Sequence, residues 1–286
     1  PMSPNMFLAC HALSDYGQAM RPYSFPLFVP ATRPDRYAKA AASGTDTVIV
    51  DLEDAVNADD KDDARTKARD ALAGLEGADI WLRVNGTETP WHQADIAVAV
   101  QSGIAGIVLP KAECAEQLTK VRSELRPGQA LIALVESARG VRAAFDLAES
   151  CDRLIFGSID FALDLSCQPT REACLVARST LVMASRAARI APPLDGVTSR
   201  MDDVALVRED AEHANMLGFG GKLLIHPNQI APARQGFSPS PEDAAWARKV
   251  MSGGSGGEAR SVDGEMIDAP LVERARAILE RLERLT

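Results

Sequence analysis

The sequence lacks the features that mark membrane-spanning, nucleic-acid-binding and disulfide-rich proteins. Its 286 residues contain no stretch near the ~20 apolar residues that cross a bilayer, and no basic segment followed by an apolar one at the start. The formal net charge of −9 at pH 7 argues against a polyanionic partner. The five cysteines are widely spaced and form no C-x2-C pair, which disfavours a zinc cage and a disulfide framework. We therefore expect free thiols, no membrane or nucleic-acid partner, and a cytoplasmic location.

Several catalytic signatures are also missing. The chain has no G-x-S-x-G elbow between a strand and a helix, since its one match to those letters, at 253–257, falls in the Gly-rich stretch, and it has no G-x-x-x-x-G-K-[ST] loop; both facts disfavour a serine hydrolase and a nucleotide hydrolase. The four histidines show no metal-ligand spacing, so we interpret His226, at the end of a predicted strand, as structural.

The chain does contain short apolar runs that alternate with amphipathic stretches of helical periodicity. Continuous apolar character is typical of parallel strands that are covered on both faces. The eight runs are PLFV (26–29), TVIVDLED (47–54), DIWLRVNG (79–86), AGIVLPK (105–111), ALIALVESA (130–138), DRLIFGSIDF (152–161), PLDGV (193–197) and GKLLIHPNQ (221–229). Eight strands with intervening helices predict an α/β protein built as a (β/α)8 TIM barrel. The alternative is an open doubly wound sheet, which is disfavoured because no Gly-rich dinucleotide turn follows the first strand.

Three segments are predicted along the chain. Residues 1–22 form an N-terminal extension, 23–250 the barrel, and 251–286 a Gly-rich hinge with a C-terminal helical lid. The alternative for the Gly-rich stretch, 251–266, is a plain surface loop. The following stretch, 266–285, predicts an amphipathic helix.

Charged side chains follow most of the predicted strands, at the end where barrel enzymes place their active sites. Glu136 and Asp160 close neighbouring strands and together suit a hard cation such as Mg²⁺, while Arg83 offers a planar fork for a carboxylate. Either carboxylate alone is more often a cap or an ion-pair partner; their position on adjacent strands favours the metal site. The combination predicts binding of a 2-oxo acid.

The chain resembles a known family through motifs that follow one another in the same order. They are LFVPATRPDRYAKA, VIVDLEDAV with KDDAR, LRVNG, VLPK, LVESARG, FGSIDF, LGFGGKLLIHPNQ and DGEMIDAPLVERAR, over roughly residues 23 to 280. On these motifs the chain resembles the citrate lyase beta subunit group of the HpcH/HpaI aldolase superfamily, which includes malyl-CoA and citramalyl-CoA lyases.

The resemblance implies a Mg²⁺-dependent barrel that makes or breaks a carbon–carbon bond between a CoA thioester and a 2-oxo acid. It implies that Glu136 and Asp160 hold the metal and that Arg83 binds the oxo-acid carboxylate. Glu53 and Asp54 would lie beside the metal, through its water ligands. Asp268 would act in a neighbouring subunit's site, which implies a homo-oligomer, a trimer or a hexamer, and we expect it to protonate the acyl-CoA enolate carbon.

Two positions depart from the family pattern. Ser24 stands where the family has Arg before its first strand, and Arg21 lies close by; Ser166 stands where the family has Gly after the sixth. Arg36, Lys39 and Lys61 are candidate contacts for the CoA phosphates, although exposed basic residues on helices are usually only solvated.

Four functions remain open at this point. The first is a free-standing CoA-ester lyase, and the second is a citrate lyase beta subunit that acts on an acyl-carrier-protein thioester within a complex. A malyl-CoA thioesterase on the same site is the third. The fourth is a barrel that has lost catalysis and serves as a binding or assembly module. Neither the acyl chain nor the oxo acid follows from the residues, since one methyl group changes binding by only ~1–3 kcal/mol.

Overall fold

The structure is a computed structural model that describes residues 20–72, 74–252, 260–262 and 265–285. The described residues divide into two compact units, one ending at Phe237 and the other beginning at Ser238. The predicted N-terminal extension therefore lies almost entirely outside the described residues, and the predicted hinge lies partly outside them. The three segment boundaries stay predictions.

The larger unit is an α/β fold whose sheet has seven parallel strands in the described part of the chain. Each strand pairs with the next in sequence, as expected for strands joined by helical crossovers. The strands are β1 (Leu27–Pro30), β2 (Thr47–Asp51), β3 (Asp79–Arg83), β4 (Gly106–Leu109), β5 (Ala130–Val135), β6 (Arg153–Phe156) and β7 (Ala191–Leu194). All residues of β2, β4, β5 and β6 are buried, which is why their sequences are continuously apolar rather than alternating.

Helices follow the strands along this unit. They are α1 (Tyr37–Ala41), α2 (Lys61–Leu72), α3 (His92–Ser102), α4 (Ala115–Glu124), α5 (Ala138–Arg142), α6 (Ala144–Ser150), α7 (Ser158–Asp164), α8 (Leu175–Ala187), α9 (Val204–Leu217) and α10 (Ile230–Phe237). Their ends follow from local chemistry. Asp203 caps α9 by accepting from Leu206 N, and Gly218 ends it with a left-handed φ of 99°. Burial of Ala64, Ala68 and Leu72 on one stripe docks α2.

The eighth predicted strand is not a strand in the structure. Residues 221–224 instead form isolated parallel bridges, Asp195 to Lys222 on the β7 side and Ser24 to Gly221 and Leu27 to Leu224 on the β1 side. The segment then enters a 3-10 turn at Pro227, which has no N–H to extend a ladder. Seven of the eight predicted strands are therefore regular strands, and this segment instead bonds to both edges of the sheet.

The interior of the sheet is filled by side chains from successive strands. Ile49, Trp81, Val108, Ile132, Ile155, Leu194 and Leu223 belong to one buried cluster, with Phe28 packed against it. These positions face inward because alternate residues of a strand share a face. The packed interior leaves the strand ends as the place where side chains meet an open cavity.

The second unit contains two helices and a short antiparallel pair of strands. These elements are α11 (Pro241–Ser252), β8 (Arg260–Val262), β9 (Glu265–Ile267) and α12 (Ala269–Leu285). Ala247 and Val250 pack against Ala275 and Ile278, so the predicted C-terminal amphipathic helix is confirmed over α12. No described helix is both long and apolar enough to cross a membrane.

Candidate active site

A cavity of about 560 Å³ opens at the carboxyl ends of the parallel strands. Its polar lining includes residues from the ends of β2, β3 and β5 and from the first turn of α7: Asp51, Asp54, Arg83, Glu136, Ser158 and Asp160. Its apolar lining includes Phe28, Leu134, Phe156, Ile159, Val197, Leu223 and Ile225. Four residues predicted from the sequence, Asp54, Arg83, Glu136 and Asp160, therefore face one space.

Arg83 is held in place by carboxylates on its own side of the cavity. Its Nε and Nη2 donate to the two oxygens of Asp51 at 2.8 and 2.6 Å, a bidentate pair. Its Nη1 lies 3.0 Å from Glu53 Oε2 and donates to Asp54 Oδ2 at 3.3 Å. Burial works to lower the pKa of Arg83, but the three carboxylates outweigh it and raise that pKa. The guanidinium is therefore permanently charged and directionally fixed.

Asp51 is a site residue that the sequence reasoning did not assign. It is buried, with an exposed fraction of 2%, and besides Arg83 it accepts from the backbone N–H groups of Glu53 and Ala55. A signal for it exists in the strand register, since Asp51 and Arg83 are paired positions at the ends of β2 and β3. Asp51 thus orients both Arg83 and the loop that carries Glu53.

Glu53 lies between two cations and still has an unsatisfied oxygen. Its Oε1 accepts from Lys111 Nζ at 2.9 Å. Its Oε2 is buried and accepts no hydrogen bond, although Arg83 Nη1 lies 3.0 Å away as its ion-pair partner. Burial raises the pKa of Glu53 against the opposing effect of Arg83. An orphaned buried carboxylate oxygen of this kind is what a bound cation or its water ligands would satisfy.

Glu136 follows β5 and is 4% exposed. Its Oε1 accepts from the backbone N–H of Lys111 at 2.8 Å. A Cβ on Gly157 would come within 2.6 Å of Glu136 Cβ and 2.8 Å of its Oε2, so only glycine leaves room for this carboxylate. Burial, with the nearby charges of Glu53 and Asp160, raises the pKa of Glu136 to about 8. Without a bound cation, the surroundings of the Glu136 carboxyl group therefore disfavour its ionised form.

The donor set fits one hard divalent cation. The site contains five carboxylates and two cationic side chains, Arg83 and Lys111. The carboxylates are those of Asp51, Glu53, Asp54, Glu136 and Asp160. Among the described residues, no three His, Cys, Asp or Glu side chains are grouped closely enough to hold a metal by themselves. Two protein carboxylates, completed by water and substrate oxygens, are a usual Mg²⁺ arrangement. Glu136 and Asp160 would be the two.

A buried polar network holds the loop that carries Glu53 and Asp54. Lys61 Nζ donates to the carbonyl oxygens of Leu52 and Glu53 at 2.7 and 2.6 Å, and Asn85 Nδ2 donates to Leu52 O at 3.0 Å. The proposed contact of Lys61 with CoA phosphates was therefore wrong. Its charge is used inside the protein, and burial lowers its pKa. Asp95, which is fully buried, accepts from the N–H and the side chain of Asn85 and from Arg65.

Comparison with known proteins shows which family this chain matches. Residues 24–227 match the family model described as HpcH/HpaI aldolase/citrate lyase. This chain is a member of the HpcH/HpaI aldolase/citrate lyase family. The family resemblance expected from the motifs is thereby confirmed.

Relatives of this protein are named for different activities. A citrate lyase subunit beta-like protein of Deinococcus radiodurans is 34% identical over 271 residues, covering 88% of this chain and 95% of that protein. A (3S)-malyl-CoA thioesterase of Cereibacter sphaeroides is 29% identical over 266 residues, covering 91% and 93%. The crystal structure of the protein CitE from Mycobacterium tuberculosis in complex with magnesium, acetoacetate and coenzyme A matches with a TM-score of 0.82 and 33% identity, covering 91% of this chain and 98% of that one.

The remaining predicted site residues of this family member lie elsewhere. Arg36 and Lys39 are exposed near and on α1, and neither lines the cavity. Asp268 lies in the second unit, where its Oδ1 accepts from Leu271 N at 3.2 Å at the start of α12. The roles given to these three residues stay predictions.

The two departures from the family pattern have local structural consequences. Ser24 hydrogen-bonds Asp46 at the amino ends of the strands, and Arg21 lies 3.2 Å from Asp79 there, so neither reaches the carboxyl-end cavity. Ser166 has a left-handed φ of 55°, which glycine would adopt without strain.

Proposed function

We propose that the protein is a Mg²⁺-dependent carbon–carbon lyase that cleaves a 3-hydroxyacyl-CoA of the citramalyl-, malyl- or citryl-CoA type. The products would be an acyl-CoA and a 2-oxo acid, formed by retro-Claisen chemistry. The observation that carries the proposal is the convergence of Glu136, Asp160 and Arg83 on one cavity with an excess of carboxylates. The complex of the related CitE protein with magnesium, acetoacetate and coenzyme A supports the same assignment of metal and substrate.

Each residue has a defined part in the proposed reaction. Glu136 and Asp160 would hold the cation, and the chemistry that Mg²⁺ supplies when bound is Lewis-acid stabilisation of negative charge on the substrate oxygen. Arg83, fixed by Asp51, would receive the carboxylate of the oxo-acid half through its remaining N–H capacity. Glu53 and Asp54 would accept hydrogen bonds from water around the cation. The substrate hydroxyl would give its proton to the Asp54 carboxylate, which lines the cavity. As the C–C bond breaks, the hydroxyl oxygen becomes the carbonyl of the 2-oxo acid and the electrons of that bond form the acyl-CoA enolate.

The enolate carbon must then take up a proton, and the proposal gives this step to Asp268. The residue would come from a neighbouring subunit of a homo-oligomer, a trimer or a hexamer, with α12 as part of a lid. We also propose that residues 221–224 close the sheet into a (β/α)8 barrel. Their hydrogen bonds support this, because Asp195 N donates to Gly221 O and Phe28 N donates to Leu224 O. Arg36 and Lys39 are the proposed contacts for CoA phosphates. A cytoplasmic setting is part of the proposal and is supported by the free thiols of the four cysteines that the structure describes.

Two other catalytic functions are favoured by the names of relatives. The relative from Cereibacter sphaeroides supports a thioesterase on the same site, where a water molecule attacks the thioester instead. The citrate lyase subunit beta-like relatives support a citrate lyase subunit, for which the family resemblance implies a carrier-protein thioester as the substrate. The apolar cavity walls do not distinguish these reactions. A binding or assembly barrel without catalysis is disfavoured because Glu136, Asp160 and Arg83 are present together.

A substrate screen separates these possibilities. Purified protein is incubated with Mg²⁺ and malyl-, citramalyl- or citryl-CoA, and in a further arm with the corresponding acyl-carrier-protein thioesters, while released 2-oxo acid and released thiol are measured in parallel. A lyase releases oxo acid and keeps the thioester, a thioesterase releases thiol, and a carrier-dependent subunit is active only with the acyl-carrier thioester. If no arm releases any product, catalysis by this protein is contradicted.

The matched control is a pair of Glu→Gln substitutions. Glu136→Gln should lower turnover by about a thousandfold, because a cation ligand is lost without a change of shape. Glu149→Gln, on the exposed face of α6, should leave it unchanged. Near wild-type turnover in Glu136→Gln would refute the site assignment.

A further inference from the structure

Lys111 has an unusual backbone at a position between two glutamates of the site. Its φ is 52°, and only two other non-glycine residues in the described part of the chain, Ser166 and Arg189, have positive φ. Lys111 lines a second cavity, of about 470 Å³, that shares Glu136 and Asp160 with the first. Left-handed backbone in a residue with a long side chain is costly and points to a constraint at that position.

The strained turn places two donors of Lys111 on two different carboxylates. Its backbone N–H donates to Glu136 Oε1 at 2.8 Å, and its Nζ donates to Glu53 Oε1 at 2.9 Å. The next residue, Ala112, returns at once to β5 through its N–H to Leu134 O at 3.2 Å. The left-handed conformation therefore lies between two N–H groups with different partners, Glu136 for Lys111 and β5 for Ala112.

Each contact occupies Oε1 of its glutamate and leaves Oε2 without a hydrogen bond from Lys111. Glu136 Oε2 lies against the space that Gly157 leaves open, whereas Glu53 Oε2 is buried and faces Arg83 Nη1 at 3.0 Å. Each carboxylate could otherwise rotate about its last bond and exchange its two oxygens. With Lys111 in place, Glu136 keeps its other oxygen toward the cavity, and the Glu53 carboxylate is held between Lys111 and Arg83.

We propose that Lys111 is a positioning residue that orients the Glu136 carboxylate, and the neighbouring Glu53 carboxylate, for the bound divalent cation. The inference rests on the proposed function, in which Glu136 is a cation ligand. Metal sites depend on such outer contacts, whose loss commonly weakens binding by about 10–100-fold.

Simple electrostatics makes the opposite prediction, which gives the proposal a sharp test. A lysine ammonium near a cation site repels the cation, so removal of its charge alone would tighten binding. A positioning role instead predicts weaker binding when the Nζ is removed, because Glu53 loses the contact that orients it. The sign of the change therefore decides between the two.

The experiment measures Mn²⁺ binding to the substrate-free protein by electron paramagnetic resonance, so it does not depend on turnover. Lys111→Met removes the Nζ and keeps the backbone N–H, and Lys111→Arg keeps a cation. Lys120→Met, on the exposed face of α4, is the matched control with the same change in net charge. Lys111→Gly removes the same side chain but accepts the positive φ, so it serves if Lys111→Met folds poorly.

We expect the Mn²⁺ dissociation constant to rise about tenfold in Lys111→Met and Lys111→Gly. Lys111→Arg should fall between these variants and the wild type, and Lys120→Met should match the wild type. Unchanged or tighter binding in Lys111→Met and Lys111→Gly, with normal binding in the wild type, overturns the inference alone. Absence of Mn²⁺ binding in the wild type overturns the proposed function and this inference with it.

Discussion

At the amino ends of the strands Arg153 is completely buried, whereas at the carboxyl ends Arg83 faces an open cavity. The guanidinium of Arg153 donates to three backbone carbonyls, those of Pro192, Arg21 and Pro22, at 2.8 to 3.0 Å. Arg83 is surrounded by carboxylates, and one oxygen of nearby Glu53 has no hydrogen bond.

The two arginines differ in how their surroundings are satisfied. The polar groups around Arg153 are paired within the fold, whereas those around Arg83 include carboxylates that a ligand would pair. Burial lowers the pKa of Arg153 to about 10, but every arm of its side chain has a neutral partner. At the carboxyl ends, burial and like charges raise the pKa of Glu136 to about 8. Side chains with strongly shifted pKa values are concentrated at functional sites. We therefore expect the chemistry to take place in the carboxyl-end cavity.

The largest expected effect concerns cysteines at the two ends. Cys151 lies just before β6 at the amino end of the strands, and burial raises its pKa to about 12 from 9.0. Its thiolate fraction at neutral pH is therefore about a thousandfold lower than that of an ordinary thiol, and rises about tenfold per pH unit. Peptide-resolved labelling by mass spectrometry should find exposed Cys114 modified within minutes and Cys151 only in guanidinium. Equal labelling of both in the folded protein would contradict the burial of Cys151.

The next effect is on stability. Arg153→Met leaves three backbone carbonyls without their donor and should lower the free energy of unfolding by about 3 kcal/mol. Denaturant titration measures this, and Arg142→Met on exposed helix α5 is the control. If Arg153→Met kept wild-type stability, the amino end of the strands would not depend on this residue. Activity per folded molecule should be unchanged.

A change at the open end should act on catalysis instead. Asp51→Asn removes the charge that holds Arg83 and should lower kcat/KM by roughly tenfold, about 1.4 kcal/mol, with KM for the substrate rising. Steady-state kinetics with the best ester from the screen measures it. Asp59→Asn, exposed in the following 3-10 turn, should match the wild type. A fall in stability without a change in KM would show that Asp51 only supports the loop.

The smallest effect concerns Ser166, near the rim. Ser166→Gly relieves the left-handed backbone but gives up some chain entropy, so we expect a gain of about 0.5–1 kcal/mol in unfolding free energy. Ser166→Ala keeps the strain and should give no gain. Thermal and denaturant unfolding of the pair measure the difference. A loss of stability in Ser166→Gly would mean that the serine contributes a contact worth more than the strain.

Much of the site was predictable from the sequence because carboxyl ends of parallel strands meet at one edge of a sheet. From the sequence alone, that rule predicts that Arg83, Glu136 and Asp160 lie close together. The prediction is confirmed, since all three line one cavity. It could not separate an exposed lysine from a buried one. Lys61, predicted at the surface, turns inward because two backbone carbonyls of the Glu53 loop are within its reach.

By itself the sequence determined the order of strands and helices, the family and the set of charges at the strand ends, since these follow from local periodicity and motif order. Only the tertiary structure decided how those charges pair. The bidentate contact of Asp51 with Arg83, the two contacts of Lys111 and the irregular pairing of residues 221–224 depend on distances between segments far apart in the chain. Hydrogen bonds and ion pairs act over a few ångströms, and no one-dimensional pattern specifies separations on that scale.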